Sequence, residues 1–204
     1  MLFYFPNESE IGLAPINRFM NNLILSSKRQ ITEGAKWLDE KVQPNTFVVA
    51  TLKQSIVSTH EGFSRRVMGC RDIYHGSCRQ ALCRFSKTVF GRTNWMRHRN
   101  RIPGFATLEG NGCGRQLSRR HSPLSLDFVR AIQPSGKKVR YHYNILLRRP
   151  DWMGLDEFEN KFRTCWALNP WSMPDVYFEE RTGDCVSYAL KEGLEALDVM
   201  SISF

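Results

Sequence analysis

The chain has 204 residues and no apolar run near the roughly 20 residues that cross a bilayer. Met1 to Pro6 is apolar but too short for a signal peptide, and it lacks a basic start and a cleavage site. A cytoplasmic location is expected, or a nuclear one if the host is a eukaryote, with no membrane partner. Six cysteines occur, yet none forms a C-x-x-C pair. Cys78 and Cys83 have no matching second pair, which argues against a zinc knuckle and for free thiols in a reducing compartment. No phosphate loop of the form Gly-x-x-x-x-Gly-Lys followed by Ser or Thr is present, so this chain is not expected to drive unwinding itself, and a helicase acting in trans is a candidate partner. Acid is scarce over one long stretch. Between Phe63 and Arg120 there are thirteen Arg or Lys residues against two acids, Asp72 and Glu109.

What is present is an ordinary globular balance, 42% apolar and 24% charged, with a net charge of +9 that is unevenly placed. Residues 151–204 are net acidic, so the excess of arginine lies upstream. One-sided basic charge suits a polyanion, and arginine suits phosphate forks and base stacking. Single-stranded DNA or a DNA hairpin is the expected partner. Candidate contacts are Arg92, Trp95, Arg97, Arg99, Arg101, Arg115, Arg119, Arg120 and Arg140, with Trp95 as a stacking group.

Residues 1–43 read as an N-terminal extension and 44–204 as one domain with basic insertions at 63–103 and 110–138. The β-branched run Thr46–Leu52, after Pro44-Asn45, predicts a buried strand. Cys78, Ala81, Leu82, Phe85 and Val89 predict a helix over His75–Gly91, closed by the glycine. A second strand is predicted over Gly104–Glu109 and a third over Val139–Leu147. Residues 110–138 form a long connection with a short apolar stretch at Leu124–Ile132. Leu155–Leu168 has helical spacing with Asp156 and Glu157 in its first turn. Asp175–Glu179 alternates as a fourth strand. Asp184 is positioned to cap a last helix running to Val199. The order β-α-β-β-α-β-α predicts an α+β fold. It is the split βαβ arrangement, ferredoxin- or RRM-like, an antiparallel sheet with helices on one face.

Strand side chains alternate with period two, so His142 and Asn144 share a face, as do Thr107 and Glu109. If these strands are antiparallel neighbours, Glu109 stands beside His142 and Asn144. A carboxylate, an imidazole and an amide oxygen make a mixed N/O site suited to Mg²⁺ or Mn²⁺ rather than structural zinc. Tyr188 and Lys191 lie three apart on the last predicted helix and share its face. Each residue also has a plainer reading. His142 can be a hydrogen-bonded core histidine, Tyr188 a packing residue and Lys191 a solvated lysine.

This order resembles the replication-initiator (Rep-like) endonucleases of the HUH superfamily, which have a single catalytic tyrosine. Phe47–Leu52 stands as the first-motif strand and Glu109-Gly110-Asn111-Gly112 as the acidic residue and turn. His142-Tyr143-Asn144 stands at the His-hydrophobic-His position and Tyr188-Ala189-Leu190-Lys191 at the tyrosine motif. The resemblance spans roughly residues 45–197. The second histidine is replaced by Asn144, which weakens the implied metal site. The resemblance implies Glu109, His142 and Asn144 as metal ligands, Tyr188 as nucleophile and Lys191 as its electrostatic partner. It also implies a covalent 5′-phosphotyrosine and a free 3′-hydroxyl, suited to rolling-circle replication or transposition of a mobile element, plasmid or virus. The alternatives are a non-catalytic nucleic-acid-binding module with an RRM-like fold, or a decayed relative of the Rep proteins.

Overall fold

The computed structural model describes residues 28–60, 62–98, 100–110, 140–191, 193–198 and 202–203. Its centre is a four-stranded antiparallel sheet of β1 (Thr46–Leu52), β4 (Gly104–Glu109), β5 (His142–Leu147) and β6 (Ser172–Glu180), in the order β4-β5-β1-β6. Helix α2 (Arg71–Phe90) links β1 to β4, and α4 (Leu155–Ala167) links β5 to β6. Each crossover skips one strand position, which defines a split βαβ unit.

The two crossover helices pack on one face of the sheet. Tyr74, Cys78, Ala81, Phe85 and Val89 of α2 meet Phe158, Phe162, Cys165 and Trp166 of α4 over Val48, Ala50, Ala106, Leu108, Tyr143, Ile145 and Leu147. The spacing of these side chains along α2 is the helical stripe visible in the sequence. Gly91, at φ 79°, ends the helix. Phe162 stacks on Trp166 at 5.8 Å, and both rings are buried. Losing either ring to alanine costs about 3–5 kcal/mol.

The opposite face is partly closed by elements outside the split βαβ unit. Helix α1 (Lys28–Val42) and the short α5 (Cys185–Ala189) bury Ala35, Leu38, Val42, Val186, Ala189 and Leu190 on Phe47, Phe105 and Leu146. α1 begins inside the segment read as an extension, and it packs on the sheet. The expected last helix is much shorter than Asp184–Val199. It stops at Ala189, and a 3₁₀ turn, Leu194–Ala196, follows Gly193, whose φ of 100° is left-handed. Asp184 does cap α5, accepting a hydrogen bond from the Ser187 N–H at 3.1 Å. The chain then runs along the outer edge of β4, bridging Thr107 to Leu197 and Gly104 to Ser203.

Two elements were not foreseen between β1 and α2. Strands β2 (Ser55–His60) and β3 (Phe63–Met68) pair with each other as a separate two-stranded ribbon. A third helix, α3 (Arg92–His98), follows α2 and buries none of its side chains. Leu124–Ile132 lies outside the described residues. Among the described residues, no helix is long and apolar enough to cross a membrane.

Candidate functional site

The sheet register brings the key side chains together. β4 and β5 pair Glu109 with His142 and Thr107 with Asn144. β5 and β1 pair His142 with Thr51 and Asn144 with Val49. Glu109 and His142 therefore lie in the row at the end of the sheet, with Thr107 and Asn144 in the row behind. Phe105, Leu146 and Phe47 form the apolar row behind those, under α1 and α5. Gly110 allows this close pairing: a Cβ there would lie 2.7 Å from the Arg140 carbonyl oxygen, and its φ is 111°.

Glu109 is the hub. It is 5% exposed and accepts a hydrogen bond from Asn144 Nδ2 at 2.5 Å. Its other oxygen lies 3.0 Å from Lys191 Nζ and 3.4 Å from His142 Nε2. Burial alone would raise the Glu109 carboxyl, but hydrogen bonds to His142 and Lys191, and their charges, hold it below the usual carboxylate value. Burial likewise disfavours the His142 imidazolium. Hydrogen bonds to Glu109 and to the Arg140 carbonyl outweigh it, and the imidazole titrates above its ordinary value. His142 Nδ1 lies 2.9 Å from that carbonyl, which can only accept, so Nδ1 carries the proton. In the neutral ring Nε2 is then the lone-pair nitrogen, and it faces Glu109.

Lys191 lies beyond the end of α5, in the turn after it, and still reaches its sequence partner. Its Nζ sits 3.9 Å from the centroid of the Tyr188 ring. The Tyr188 ring packs edge-on against Phe47 at 6.1 Å, yet the residue is 50% exposed. Phe47 and Lys191 both contact the ring, and half of the residue stays exposed. Lys191 thus bridges the tyrosine and the buried carboxylate.

Two observations bear on whether a divalent cation fits. Asn144 Oδ1 and Thr107 Oγ1 are buried and have no hydrogen-bond partner among the described residues. Leaving such an oxygen unpaired costs about 1–3 kcal/mol, which a bound cation or its water would remove. Lys191 already neutralises part of the Glu109 charge, and no group of three or more His, Cys, Asp or Glu side chains that could hold a metal ion occurs among the described residues. Both Glu109 oxygens are already engaged, one by Asn144 and the other by Lys191 and His142, so a divalent cation here would have to displace a partner and keep most of its shell as water, as Mg²⁺ does.

The proposed nucleic-acid residues are less gathered. Arg140 is exposed at the site end, two residues before β5 begins. Arg92, Trp95 and Arg97 lie on α3, and Arg101 just before β4. All four precede Gly104, which pairs with Leu147 at the far end of the sheet, roughly 17 Å from Glu109 at the usual rise per residue. Lys87 Nζ lies 4.0 Å from the Trp95 ring centroid, so one side of that indole is already engaged. Arg99, Arg115, Arg119 and Arg120 lie outside the described residues.

Sequence reasoning missed a network behind the site. On the other face of β5 the Tyr143 hydroxyl lies 3.0 Å from His75 Nδ1, which is also 3.0 Å from Asp198 Oδ2. Tyr143 and Asp198 are buried. Tyr143 stands between His142 and Asn144, so this network anchors the strand segment that carries them. No local pattern links His75 to Asp198, which meet only through the edge segment beside β4. Thr107 was visible as a neighbour of Glu109 on the strand face, but its buried hydroxyl gave no signal.

No protein-family model, curated protein or solved structure matches the chain. The side-chain geometry alone carries the functional reading.

Proposed function

We propose that the protein is a Rep-like endonuclease that nicks and rejoins single-stranded DNA through Tyr188. One observation carries this reading. Glu109, His142, Asn144 and Lys191, drawn from three separate segments, converge beside a half-exposed tyrosine whose ring lies under a lysine ammonium. Free tyrosine has a pKa near 10 and attacks poorly at neutral pH. The Lys191 ammonium would stabilise the negative charge that builds on the phosphodiester, and the phenolic proton would leave to water. The Tyr188 oxygen would attack phosphorus in line and break the bond to the 3′ oxygen. A 5′-phosphotyrosine and a 3′-hydroxyl result, and the leaving oxygen takes its proton from water. Attack by that 3′-hydroxyl on the phosphotyrosine reverses the step without ATP. Glu109, His142 and Asn144 would hold an Mg²⁺ or Mn²⁺ ion, which supplies Lewis-acid polarisation of the phosphoryl oxygens.

The competing reading, a sheet-face RNA-binding module, needs exposed aromatics on the central strands. On this face the central strands β5 and β1 carry one aromatic side chain, Phe47, and it is buried under α1 and α5. The open end of the face offers Glu109, His142 and Lys191 instead of aromatic rings. The test is incubation with end-labelled single-stranded DNA and Mg²⁺ or Mn²⁺, with and without a chelator. Metal-dependent nicking supports the proposal, and persistent absence of nicking with both ions overturns it.

A further inference from the structure

Among the described residues, the β2–β3 ribbon is an exposed feature that the proposed chemistry does not use. It leaves the sheet at the site end. Thr51 pairs with His142, the Leu52 N–H donates to the Tyr141 carbonyl, and the ribbon starts at Ser55. Only its base is tied down. Ile56 and Val67 pack on the core, and the Gly69 N–H donates to the Gln54 carbonyl. Beyond that base the side chains are open: Val57 is 69% exposed and Phe63, beside the turn, 81%.

Charge and register indicate what it meets. Residues 53–71 hold Lys53, Arg65, Arg66 and Arg71 against one acid, Glu61. Arg65 pairs with Ser58 and Arg66 with Val57, so the two arginines leave opposite faces of the ribbon. Ser58, Thr59 and Ser64 add hydroxyls beside them. Each strand has six residues, about 20 Å of ribbon, and the B-DNA major groove admits a two-stranded β-ribbon. A ribbon with one arginine on each face can reach the phosphates on both walls of that groove. Arg140, exposed at the same end of the sheet, extends the basic surface toward Glu109.

We propose that the β2–β3 ribbon docks in the major groove of a DNA duplex stem flanking the single strand, with Arg65 and Arg66 on its phosphates and Phe63, at the ribbon tip, against the base edges in the groove. The placement of the stem next to a single strand depends on the nuclease reading, whereas duplex docking does not. The test is fluorescence anisotropy of the full chain with a DNA hairpin of about ten base pairs, one helical turn, and with an unpaired strand of equal length. The wild type should prefer the hairpin. Arg65→Ala with Arg66→Ala should remove the preference and reduce the slope of log affinity against log salt by about two, close to 0.9 for each lost phosphate contact. Phe63→Ala should weaken hairpin binding without changing that slope. A circular-dichroism melt checks that these exposed substitutions leave the fold intact. Equal affinity of the wild type for both probes, or a double variant with unchanged slope, overturns the proposal. Nicking of the unpaired strand is scored separately. An arginine-dependent hairpin preference in a protein that nicks nothing would remove the nuclease reading and leave the docking arm standing.

Discussion

Replacing Glu109 by glutamine keeps the shape of the side chain and removes the charge on which three partners converge. The Asn144 bond is fully buried, and going from a charge-assisted to a neutral acceptor costs about 1 kcal/mol. The His142 contact, with the imidazole side chain 17% exposed, loses a similar amount, about 1 kcal/mol. The Lys191 side chain is 38% exposed, so solvent screening limits its loss to below about 1 kcal/mol. Glu109→Gln should therefore destabilise the fold by about 2–3 kcal/mol. In a chain of this length that lowers the melting temperature by roughly 5–10 °C. Differential scanning calorimetry measures this directly, in buffer with chelator so that no cation contributes. Lys191→Met in the same assay should cost less than Glu109→Gln, because its ammonium is half open to water. A Glu109→Gln protein as stable as the wild type would refute the reasoning, since the carboxylate would not then be the paired hub described.

The same pair sets a pH dependence. The raised His142 pKa contributes stability that is full below about 6.5 and is lost as pH rises through the folded value. The lowered Glu109 pKa contributes stability that is full above about 4.5 and is lost as pH falls through the folded value. Melting temperature against pH should thus be highest between these limits, and His142→Gln should flatten the alkaline limb; an unchanged limb would contradict the assignment. Thr107→Val replaces a buried hydroxyl that has no partner among the described residues, and should raise stability by about 1 kcal/mol in a chelated urea titration. Lys191→Ala should slow nicking in single-turnover kinetics while the covalent adduct still forms, because its role is electrostatic.

Where local pattern and tertiary structure agree, the sequence was readable. The β-branched run Thr46–Leu52 and the bracketed run Gly104–Glu109 are strands with those bounds, and the α2 and α4 stripes face the core. Period-two alternation was enough to put Glu109, His142 and Asn144 on one face once β4 and β5 paired. The β2–β3 ribbon was hidden because its outer residues face water on both sides, so no apolar alternation marks them. α1 was hidden in a polar stretch: its helical spacing of Ala35, Leu38 and Val42 gains meaning only from the sheet it covers. The last helix was overread, because apolar spacing continues past Gly193 where the backbone turns left-handed. The Tyr188–Lys191 contact survived that error, since the turn after α5 still brings the lysine over the ring. The His75–Asp198–Tyr143 network depends on contacts between distant segments and left no trace in local sequence.

The central claim is that Tyr188 is the nucleophile, and its most direct measurement is the identity of the residue linked to DNA. The full chain is incubated with a single-stranded substrate and Mn²⁺, denatured, digested and sequenced by mass spectrometry. The account predicts one nucleotide-bearing peptide, modified at Tyr188 through a 5′ phosphate. It also predicts no adduct from Tyr188→Phe, which keeps the ring packed on Phe47 and should bind DNA as the wild type does. A denaturation-resistant link in Tyr188→Phe, or a modified peptide that maps to another residue, would contradict it.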